Sequence, residues 1–367
     1  MVCLAQTDEQ RLLADNLHRL LGEDYEFKAR QPQSPGTPPG KSLWSALAEL
    51  GVLGAAFDEP HGGFAGDARS IAVVMEELGT ALALEPFMET AVISGRLLQH
   101  CVDEGAREAI NAIIGGQSVV VLAHSSADST ATSVTAADVG NAVTLSGTVR
   151  CVRFAHSADH FLVPAIHGAE SVRIYMIPRS TPDLTVDTYR LIDGSNGADL
   201  HLRSVTAPHT SWLQFALDSR TALDDALEWG VLANVSETLG IIQALNKATF
   251  SYLMTRRQFG SPIGSFQALQ HRAADMHIAA EETLAMADAA IESFAAGWGP
   301  ARSAVVSAAK VVADTASRRI GSEAIQLHGG MGVSDELNVS HYARRLIAIR
   351  HALSTADVHR LKFRSRP

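Results

Sequence analysis

Cysteine is scarce in this sequence, and the spacing of the few copies excludes a disulfide framework. The 367 residues include three cysteines, Cys3, Cys101 and Cys151, and no two of them form a Cys-x-x-Cys pair. Disulfide-stapled secreted domains need even sets of closely spaced cysteines. We therefore predict a reducing compartment, the cytoplasm.

Long apolar runs and an excess of positive charge are also missing. No run approaches the ~20 consecutive apolar residues that span a bilayer, and acidic side chains appear within the first ten residues, where a signal peptide would have its apolar core. Lysine and arginine number 30 against 40 acidic residues, a formal net charge of −10. These features predict neither a membrane nor a nucleic acid as a partner.

The apolar pattern changes its period twice along the chain. Spacing typical of one helical face occurs at 7–23, 42–50, 67–80, 85–100 and 104–114. Short runs typical of strands follow at 119–123, 143–147, 160–163, 172–177 and 199–202. Helical runs return from Ala222 onward, and a loop with four prolines is predicted at 31–40.

This order of elements predicts an α+β fold with segregated helices and strands. We expect an N-terminal helical domain at 1–117, a middle β-barrel or β-sandwich domain at 118–215 and a C-terminal four-helix bundle at 216–367. Alanine and serine recur through 301–316, and such small residues allow helices to pack closely in a bundle.

A break that reads RRQFGSPIGSFQ separates two long helical runs at 256–267. Its glycines and proline predict a turn, because glycine tolerates positive φ and proline cannot continue a helix. Arg256 and Arg257 place two guanidinium groups at the helix end, beside phenylalanine and glutamine side chains. Such groups can bind a pyrophosphate and an aromatic ring. On chemistry alone, a helical corner with a solvated arginine pair is an equally good interpretation.

A second glycine-rich block, QLHGGMG at 326–332, follows another helical run. The first block resembles the R-x-x-F-G-x-x-[IL]-x-x-[FH]-Q signature of the acyl-CoA dehydrogenase flavoproteins, and the second resembles their Q-x-x-G-G-x-G signature. Gly62-Gly63 and the EELG at 76–79 are similar to a weaker N-terminal pattern of the family. The two main signatures stand in the family's order and spacing, so together they are specific, and weaker matches extend over nearly the whole chain.

The resemblance implies oxidation of the Cα–Cβ bond of an acyl thioester, with FAD as hydride acceptor and a glutamate as base. It also implies that FAD is shared across a subunit interface. The strand domain of one subunit would hold the isoalloxazine, and the helical bundle of its neighbour would hold the pyrophosphate and adenosine. The positions offered to the neighbour's FAD are matched here by Arg256, Gln258, Phe259, Phe266, Gln267, Gln326, Gly329 and Gly330.

The positions that would hold this chain's own flavin are poorly matched. The family's strand motif, roughly [AL]-x-T-E-P-x-A-G-S-D, falls on 121–130, which reads VLAHSSADST. Its threonine, glutamate and proline are replaced by Ala123, His124 and Ser125.

The next flavin motif, G-x-K-x-[WYF]-I-[TS]-N, falls on 147–154, which reads GTVRCVRF. Cys151 replaces the aromatic residue that covers the flavin, and Arg153 replaces the hydroxyl residue near its N5. A long, permanently charged side chain would therefore stand where the resemblance places a small donor.

The catalytic glutamate is absent from both positions that the family uses. In the terminal Y-E-G-T-x-x-x-Q/H-R stretch its position is Leu353, and on the helix before RRQFG it is Gly230. Asp357 is the reserve candidate for a base. Glu237 is a weaker one, and Glu228 falls on the opposite helical face from Gly230. A solvated or helix-pairing carboxylate is the alternative interpretation for each.

The fifteen histidines do not predict a metal site. His156 and His160 form an H-x-x-x-H pair, but strands do not place residues at this spacing on one ligand face as a helix does. We interpret His328, inside the LHGG block, as structural or close to the cofactor.

Three hypotheses follow from the uneven match to the family. The first is a non-catalytic subunit of a heteromeric, α2β2-type acyl-CoA dehydrogenase of bacterial steroid degradation, whose base-lacking subunit this chain resembles. Its partner would be a second acyl-CoA dehydrogenase-like subunit that carries the base and most of the acyl-CoA site, with an electron-transfer-flavoprotein type of acceptor. The second is a self-sufficient homotetramer with a displaced base, and the third is a cofactor-free scaffold.

Overall fold

The structure is a computed structural model that describes residues 7–24, 41–64, 66–125, 132–168 and 171–364. The proline-rich loop predicted at 31–40 lies outside the described residues, and so do positions 126–130 of the strand motif.

Ten α-helices occur in the described part of the chain. In order they are α1 Asp8–Asp24, α2 Lys41–Glu49, α3 Ala68–Thr80, α4 Gly95–Gln99, α5 Glu104–Ile114, α6 Ser219–Thr255, α7 Gln267–Ser293, α8 Pro300–His328, α9 Asn338–Ile349 and α10 Ala356–Arg364. Each helical run predicted from the apolar spacing lies on a helix or, at 85–100, on a π-helical turn followed by α4.

Nine strands occur in the same residues. They are β1 Val120–Leu122, β2 Val134–Val139, β3 Ala142–Arg153, β4 His160–His167, β5 Ser171–Pro178, β6 Leu184–Arg190, β7 Asn196–Pro208, β8 Arg257–Gln258 and β9 Ser261–Pro262. The sequence reasoning missed β2, β6 and the short pair β8–β9. In β2 and β6 most of the residues are exposed or half-buried, so their sequences lack the apolar runs by which the other strands were found.

Strands β1 to β7 form one curled sheet in the order β1-β4-β2-β3-β7-β6, with β5 also paired to β4. The β1–β4 and β2–β4 pairs are parallel, and the other pairs are antiparallel. The β3–β7 ladder has a register shift between Val149 and Val152, and Cys151 in this shift has a φ of 55°. With helices before and after this sheet, the predicted α+β class is confirmed.

The contacts divide the chain into two compact units. One consists of Met1–Ala29, Ala72–Ala83 and Val231–Pro367, and the other of Arg30–Ile71 and Leu84–Gly230. We call the first the helical unit and the second the sheet unit. The three domains at 1–117, 118–215 and 216–367 stay a prediction.

Within the helical unit, α3 and α6 approach each other at a pair of glycines. A Cβ added to Gly79 would lie 2.4 Å from the carbonyl oxygen of Glu237, and one added to Gly240 would lie 2.0 Å from that of Glu76. Real side chains do not come this close to a backbone oxygen, so both positions require glycine. The glycine of the EELG pattern, Gly79, therefore allows α3 to pack closely against α6.

The core of the helical unit is apolar, but one lysine is completely buried in it. Leucine, isoleucine and alanine side chains of α6 to α9 form the apolar cluster. Beside it, Lys310 Nζ donates to Asn234 Oδ1 and Asp314 Oδ1, both at 2.8 Å, and to the carbonyl of Ile349 at 3.3 Å. The Ile349 carbonyl, at the end of α9, also accepts from Asn234 Nδ2 at 3.2 Å and from the N–H of Ala352 at 3.0 Å, so groups outside the helix satisfy it.

In the sheet unit, the helix predicted at 85–100 begins as a π-helical turn at Met88–Ser94. Ser94 Oγ donates to the carbonyl of Glu89 at 2.9 Å, five residues back. A Cβ on Gly95 would lie 2.6 Å from the ring of Phe57, so the chain needs glycine where the turn returns to α-helix. Such π turns are rare and often occur at functional sites.

Glu85, just before this turn, should make stability depend on pH. Burial raises its pKa to about 8, and its Oε2 has no hydrogen-bond partner. Between pH ~4.5 and ~8 the folded protein keeps a proton that the unfolded chain releases, so the free energy of unfolding falls as pH rises, by up to ~1.4 kcal/mol per pH unit.

Urea unfolding of the Glu85→Gln variant at pH 5, 6, 7 and 8 measures this effect. In this variant the free energy of unfolding should fall less steeply between pH 5 and 8 than in the unmodified protein, because Glu85 no longer contributes to the fall. Glu108→Gln, on the exposed side of α5, is the control and should leave the decline unchanged. Parallel profiles for the unmodified protein and Glu85→Gln would contradict the prediction.

Candidate functional site

The RRQFG break forms a short exposed hairpin between α6 and α7. Strand β8 pairs with β9, Arg257 opposite Pro262 and Gln258 opposite Ser261. Phe259 and Gly260 at its tip have φ values of 51° and 83°, the positive angles that a tight hairpin turn requires. The predicted turn is present, although a non-glycine residue occupies one of its left-handed positions.

The side chains predicted to contact FAD in this block point outward or lie at the surface. Phe259 is 93% exposed, and its ring meets that of Phe266 edge-on with centroids 6.2 Å apart. Arg256, Gln258 and Gln267 are also exposed, the last as the first residue of α7. All five predicted contacts of this block are therefore exposed to solvent.

A ring stack joins the second block to the last turn of α6, just before the first block. His328 stacks on Tyr252 with ring centroids 4.4 Å apart and 26° between the planes. Tyr252 lies four residues before Arg256, one turn of α6 away. His328 Nδ1 donates to the carbonyl of Ala324 at 2.8 Å, which fixes the ring. Sequence reasoning missed Tyr252, although its one-turn spacing from Arg256 was the available signal.

Beyond this stack, the glycines of the second block leave open space. Gln326 is exposed, and a Cβ added to Gly329 or Gly330 would have no atom within 4 Å. Gly329 has a φ of 59°, which glycine adopts without strain. Exposed guanidinium and amide groups, an aromatic pair and bare backbone fit the pyrophosphate and adenosine of FAD. The binding role of these eight residues stays a prediction.

In the sheet unit, Arg153 is buried in a cluster of charges. Arg153 Nε donates to Glu89 Oε1 at 3.3 Å, and its Nη2 lies 3.6 Å from Asp193 Oδ2. The side chains of these three residues are 6%, 7% and 0% exposed. Asp193 Oδ1 also accepts a bond from Ser195 Oγ at 2.7 Å. One guanidinium and two carboxylates thus occupy the position where the resemblance puts a hydroxyl near the flavin.

The other replaced flavin positions make local contacts of their own. Ala123 is buried at the end of β1, and His124 Nδ1 contacts the carbonyl of Leu122 at 3.4 Å. The backbone N–H of Cys151 donates to Asp199 Oδ1 at 2.9 Å, an oxygen that also accepts from the Tyr189 hydroxyl at 2.8 Å.

Leu353, at the first position for the glutamate base, is buried in a left-handed turn. Leu353 and Ser354 have φ values of 58° and 78°, and Ser354 takes the glycine position of the Y-E-G-T motif. His359 Nε2 donates to the Leu353 carbonyl at 2.9 Å, and Ser307 Oγ lies 3.3 Å from His359 Nδ1. Burial lowers the pKa of His359 to about 4, so a neutral imidazole holds a turn that carries no carboxylate.

The remaining base candidates are either without a side chain or paired with arginine. Gly230 is buried within α6. Asp357 is 85% exposed and pairs with Arg360 at 2.6 Å. Glu237 is buried and its Oε1 lies 2.7 Å from Arg345 Nε. These ion pairs favour a structural role for both carboxylates.

In the described part of the chain, no group of three or more histidine, cysteine, aspartate or glutamate side chains could hold a metal ion. Within those same residues, every helix is too short or too polar to cross a lipid bilayer.

Known proteins resemble the chain over nearly its whole length. The model of the acyl-CoA dehydrogenase N-terminal domain matches residues 7–117, and that of the C-terminal domain matches residues 221–363. The probable acyl-CoA dehydrogenase YngJ of Bacillus subtilis is 25% identical over 370 residues, with 97% of each chain covered.

Two solved structures share the fold. One is the ChsE4-ChsE5 complex from Mycobacterium tuberculosis, with a TM-score of 0.90, 22% identity and 99% of each chain covered. The other is a variant of the Tcur3481-Tcur3483 steroid ACAD, with a TM-score of 0.86, 24% identity and coverage of 97% of this chain and 96% of that chain. The two domain matches, together with the paired signature blocks, establish that the chain belongs to the acyl-CoA dehydrogenase family of FAD-dependent oxidoreductases.

Proposed function

We propose that this chain is the non-catalytic subunit of a heteromeric acyl-CoA dehydrogenase. It would bind the pyrophosphate and adenosine end of an FAD whose isoalloxazine lies in a partner subunit. The partner would be a second acyl-CoA dehydrogenase-like chain that carries the glutamate base and most of the acyl-CoA site. The observation that carries the proposal is the buried cluster of Arg153, Glu89 and Asp193.

The cluster supports the proposal because moving it aside to admit the isoalloxazine ring of FAD would cost a large free energy. Removing a buried arginine from its carboxylates leaves uncompensated charge, at a cost of about 3–5 kcal/mol. Arg153 cannot lose its charge at physiological pH. A flavin in the chain's own sheet unit would have to displace this cluster or bind elsewhere.

The surface of the helical unit supports the other half of the proposal. Phe259 is 93% exposed and its ring contacts that of Phe266, which is 39% exposed, and adjoining exposed apolar side chains often mark an interaction site. Arg256, the residue after α6, is exposed and makes no ion pair with a carboxylate among the described residues. The hairpin at 256–267 thus offers exposed aromatic rings and an unpaired cation, which could contact a cofactor held by another subunit.

The partner and substrate are proposed from the similar structures. ChsE4-ChsE5 and Tcur3481-Tcur3483 each join two different proteins, and the second is a steroid enzyme. By analogy, we propose that this chain forms a heterotetramer with its partner and that the complex acts on a bulky, steroid-type acyl-CoA. The electron acceptor would be an electron-transfer flavoprotein, and the complex would be cytoplasmic. When bound, FAD would accept the hydride from the acyl β-carbon. This chain would orient the cofactor and leave the proton transfer to the partner.

Expression of the chain with and without a second acyl-CoA dehydrogenase-like chain that carries the glutamate base tests the proposal. Purified alone, the chain should contain little flavin and oxidise no acyl-CoA. With the partner, the complex should contain FAD and oxidise a steroid-type acyl-CoA. Stoichiometric FAD and turnover in the chain alone would contradict the proposal and support the self-sufficient enzyme, in which Asp357→Asn should then abolish turnover.

A further inference from the structure

The sheet unit contains a cavity that the proposed function does not use. It has a volume of about 540 Å³ and lies between α2, the segment 116–119 before β1 and the turn 156–159 between β3 and β4. Arg179, the residue after β5, completes its wall. Volumes of this size are typical of small-molecule sites.

Three side chains that line this cavity carry a polar atom with no hydrogen-bond partner among the residues that the structure describes. These atoms are Trp44 Nε1, Ser118 Oγ and His156 Nδ1. Trp44 and His156 are only 6% and 8% exposed. Proteins rarely leave a buried polar group without a partner, because its lost contact with water is not replaced. Three such atoms around one cavity therefore indicate a ligand that supplies the missing partners.

All three atoms can donate a hydrogen bond, so the ligand must offer acceptors. An indole nitrogen donates only, and a hydroxyl oxygen can donate. Asn196 Nδ2 lies 3.4 Å from His156 Nε2, and this amide donor makes Nε2 the accepting nitrogen of the ring. Burial lowers the pKa of His156 to about 4. The ring is therefore neutral at pH 7, with its hydrogen on Nδ1.

The charges of the wall favour a carboxylate as the acceptor. Arg179 is half-buried, its Nη1 donates to the carbonyl of Ala155 at 2.5 Å, and it makes no ion pair with a carboxylate in the described part of the chain. A guanidinium group can bind a carboxylate through two parallel hydrogen bonds. Asp159 also lines the cavity and is exposed, and its charge repels a dianion such as sulfate more than a monoanion.

From this arrangement we infer that the cavity is a binding site for a small organic monocarboxylate. Its carboxylate would accept hydrogen bonds from Trp44, Ser118 and His156, and Arg179 would neutralise its charge. The lining residues all belong to the sheet unit, whereas the residues predicted to bind FAD belong to the helical unit. The inference does not depend on the proposed function.

Calorimetric titration of the full chain with benzoate tests the inference, with benzamide as a neutral analogue and sulfate as a dianion. Benzoate should bind the most tightly of the three, and more weakly at higher salt. Ser118→Ala should weaken benzoate binding about tenfold, because one hydrogen bond to a charged group is lost. Ser157→Ala is the matched control. Ser157 lines the same cavity, but its Oγ already donates to the Phe154 carbonyl at 3.0 Å, so benzoate binding should be unchanged.

Trp44→Phe removes a second donor and keeps an aromatic ring. It should also weaken benzoate binding about tenfold, whereas Trp298→Phe, at a half-exposed tryptophan of the helical unit, should not. The inference is wrong if benzoate does not bind saturably, if benzamide or sulfate binds as tightly, or if Ser118→Ala and Ser157→Ala have the same effect. If Trp44→Phe does not fold, the two serine variants still decide.

Flavin content separates this cavity from the cofactor site. Ser118→Ala should leave the FAD content of the partner complex unchanged. Loss of FAD in that variant would make the cavity part of the cofactor site and overturn the inference.

Discussion

Gly240→Ala should destabilise the protein by about 3 kcal/mol or more, because overpacking a close contact typically costs ~1–3 kcal/mol and here the atom that is met is rigid backbone. The added Cβ would lie 2.0 Å from the carbonyl oxygen of Glu76. Helices α3 and α6 would have to separate to relieve the clash. Denaturant unfolding of the variant measures the loss directly.

Gly321→Ala is the matched control for this prediction. It is also a glycine on a helix of the same unit, but its Cβ would meet its nearest atom at 3.6 Å, an ordinary contact. Alanine there should be neutral or stabilise by up to ~1 kcal/mol. Equal losses in Gly240→Ala and Gly321→Ala would mean that the α3–α6 contact is not responsible.

A double substitution tests whether the two glycines act at one contact. In Gly79→Ala the Cβ would lie 2.4 Å from the Glu237 carbonyl, so this variant should also be destabilised. Once α3 and α6 have moved apart for one alanine, the second should cost less. The Gly79→Ala/Gly240→Ala variant should therefore lose less than the two single losses together. A fully additive result would contradict a shared contact.

Arg256→Ala should reduce the affinity of the partner complex for FAD by about 10- to 100-fold, since hydrogen bonds to charged groups contribute roughly 1.5–3 kcal/mol. Arg256 is exposed at the end of α6, and its removal should not disturb the core. The measurement is titration of FAD into the flavin-free complex. Subunit assembly, followed by gel filtration, should remain intact.

Arg257→Gln is the control for the arginine prediction. Arg257 lies next to Arg256 on β8, but the family signature has no fixed residue at its position. Its loss should weaken FAD much less. If Arg256→Ala leaves both FAD affinity and activity unchanged, the chain does not contribute to the cofactor, and the scaffold hypothesis replaces the proposed one.

The sequence was sufficient for most helices because their apolar spacing is local. Helix α5 was predicted at 104–114, and the structure has Glu104–Ile114. The π turn at Met88–Ser94 was missed because an inserted residue in a helix hardly alters the apolar pattern. The edge strand β6 was missed because only one strand, β7, pairs with it, so its side chains need not be apolar.

The signature residues, their order along the chain and the absence of a glutamate at Leu353 and Gly230 are properties of the sequence alone. They can be read before the fold is known. The fate of Arg153 is different. Only the tertiary structure brings Arg153 to Glu89, 64 positions away, and to Asp193. The arginine that looked out of place in the flavin motif is therefore part of a buried ion cluster. Tyr252 and His328 likewise meet only in the fold. Contacts between distant positions depend on packing, whereas helical periodicity and motif identity are recorded in neighbouring residues.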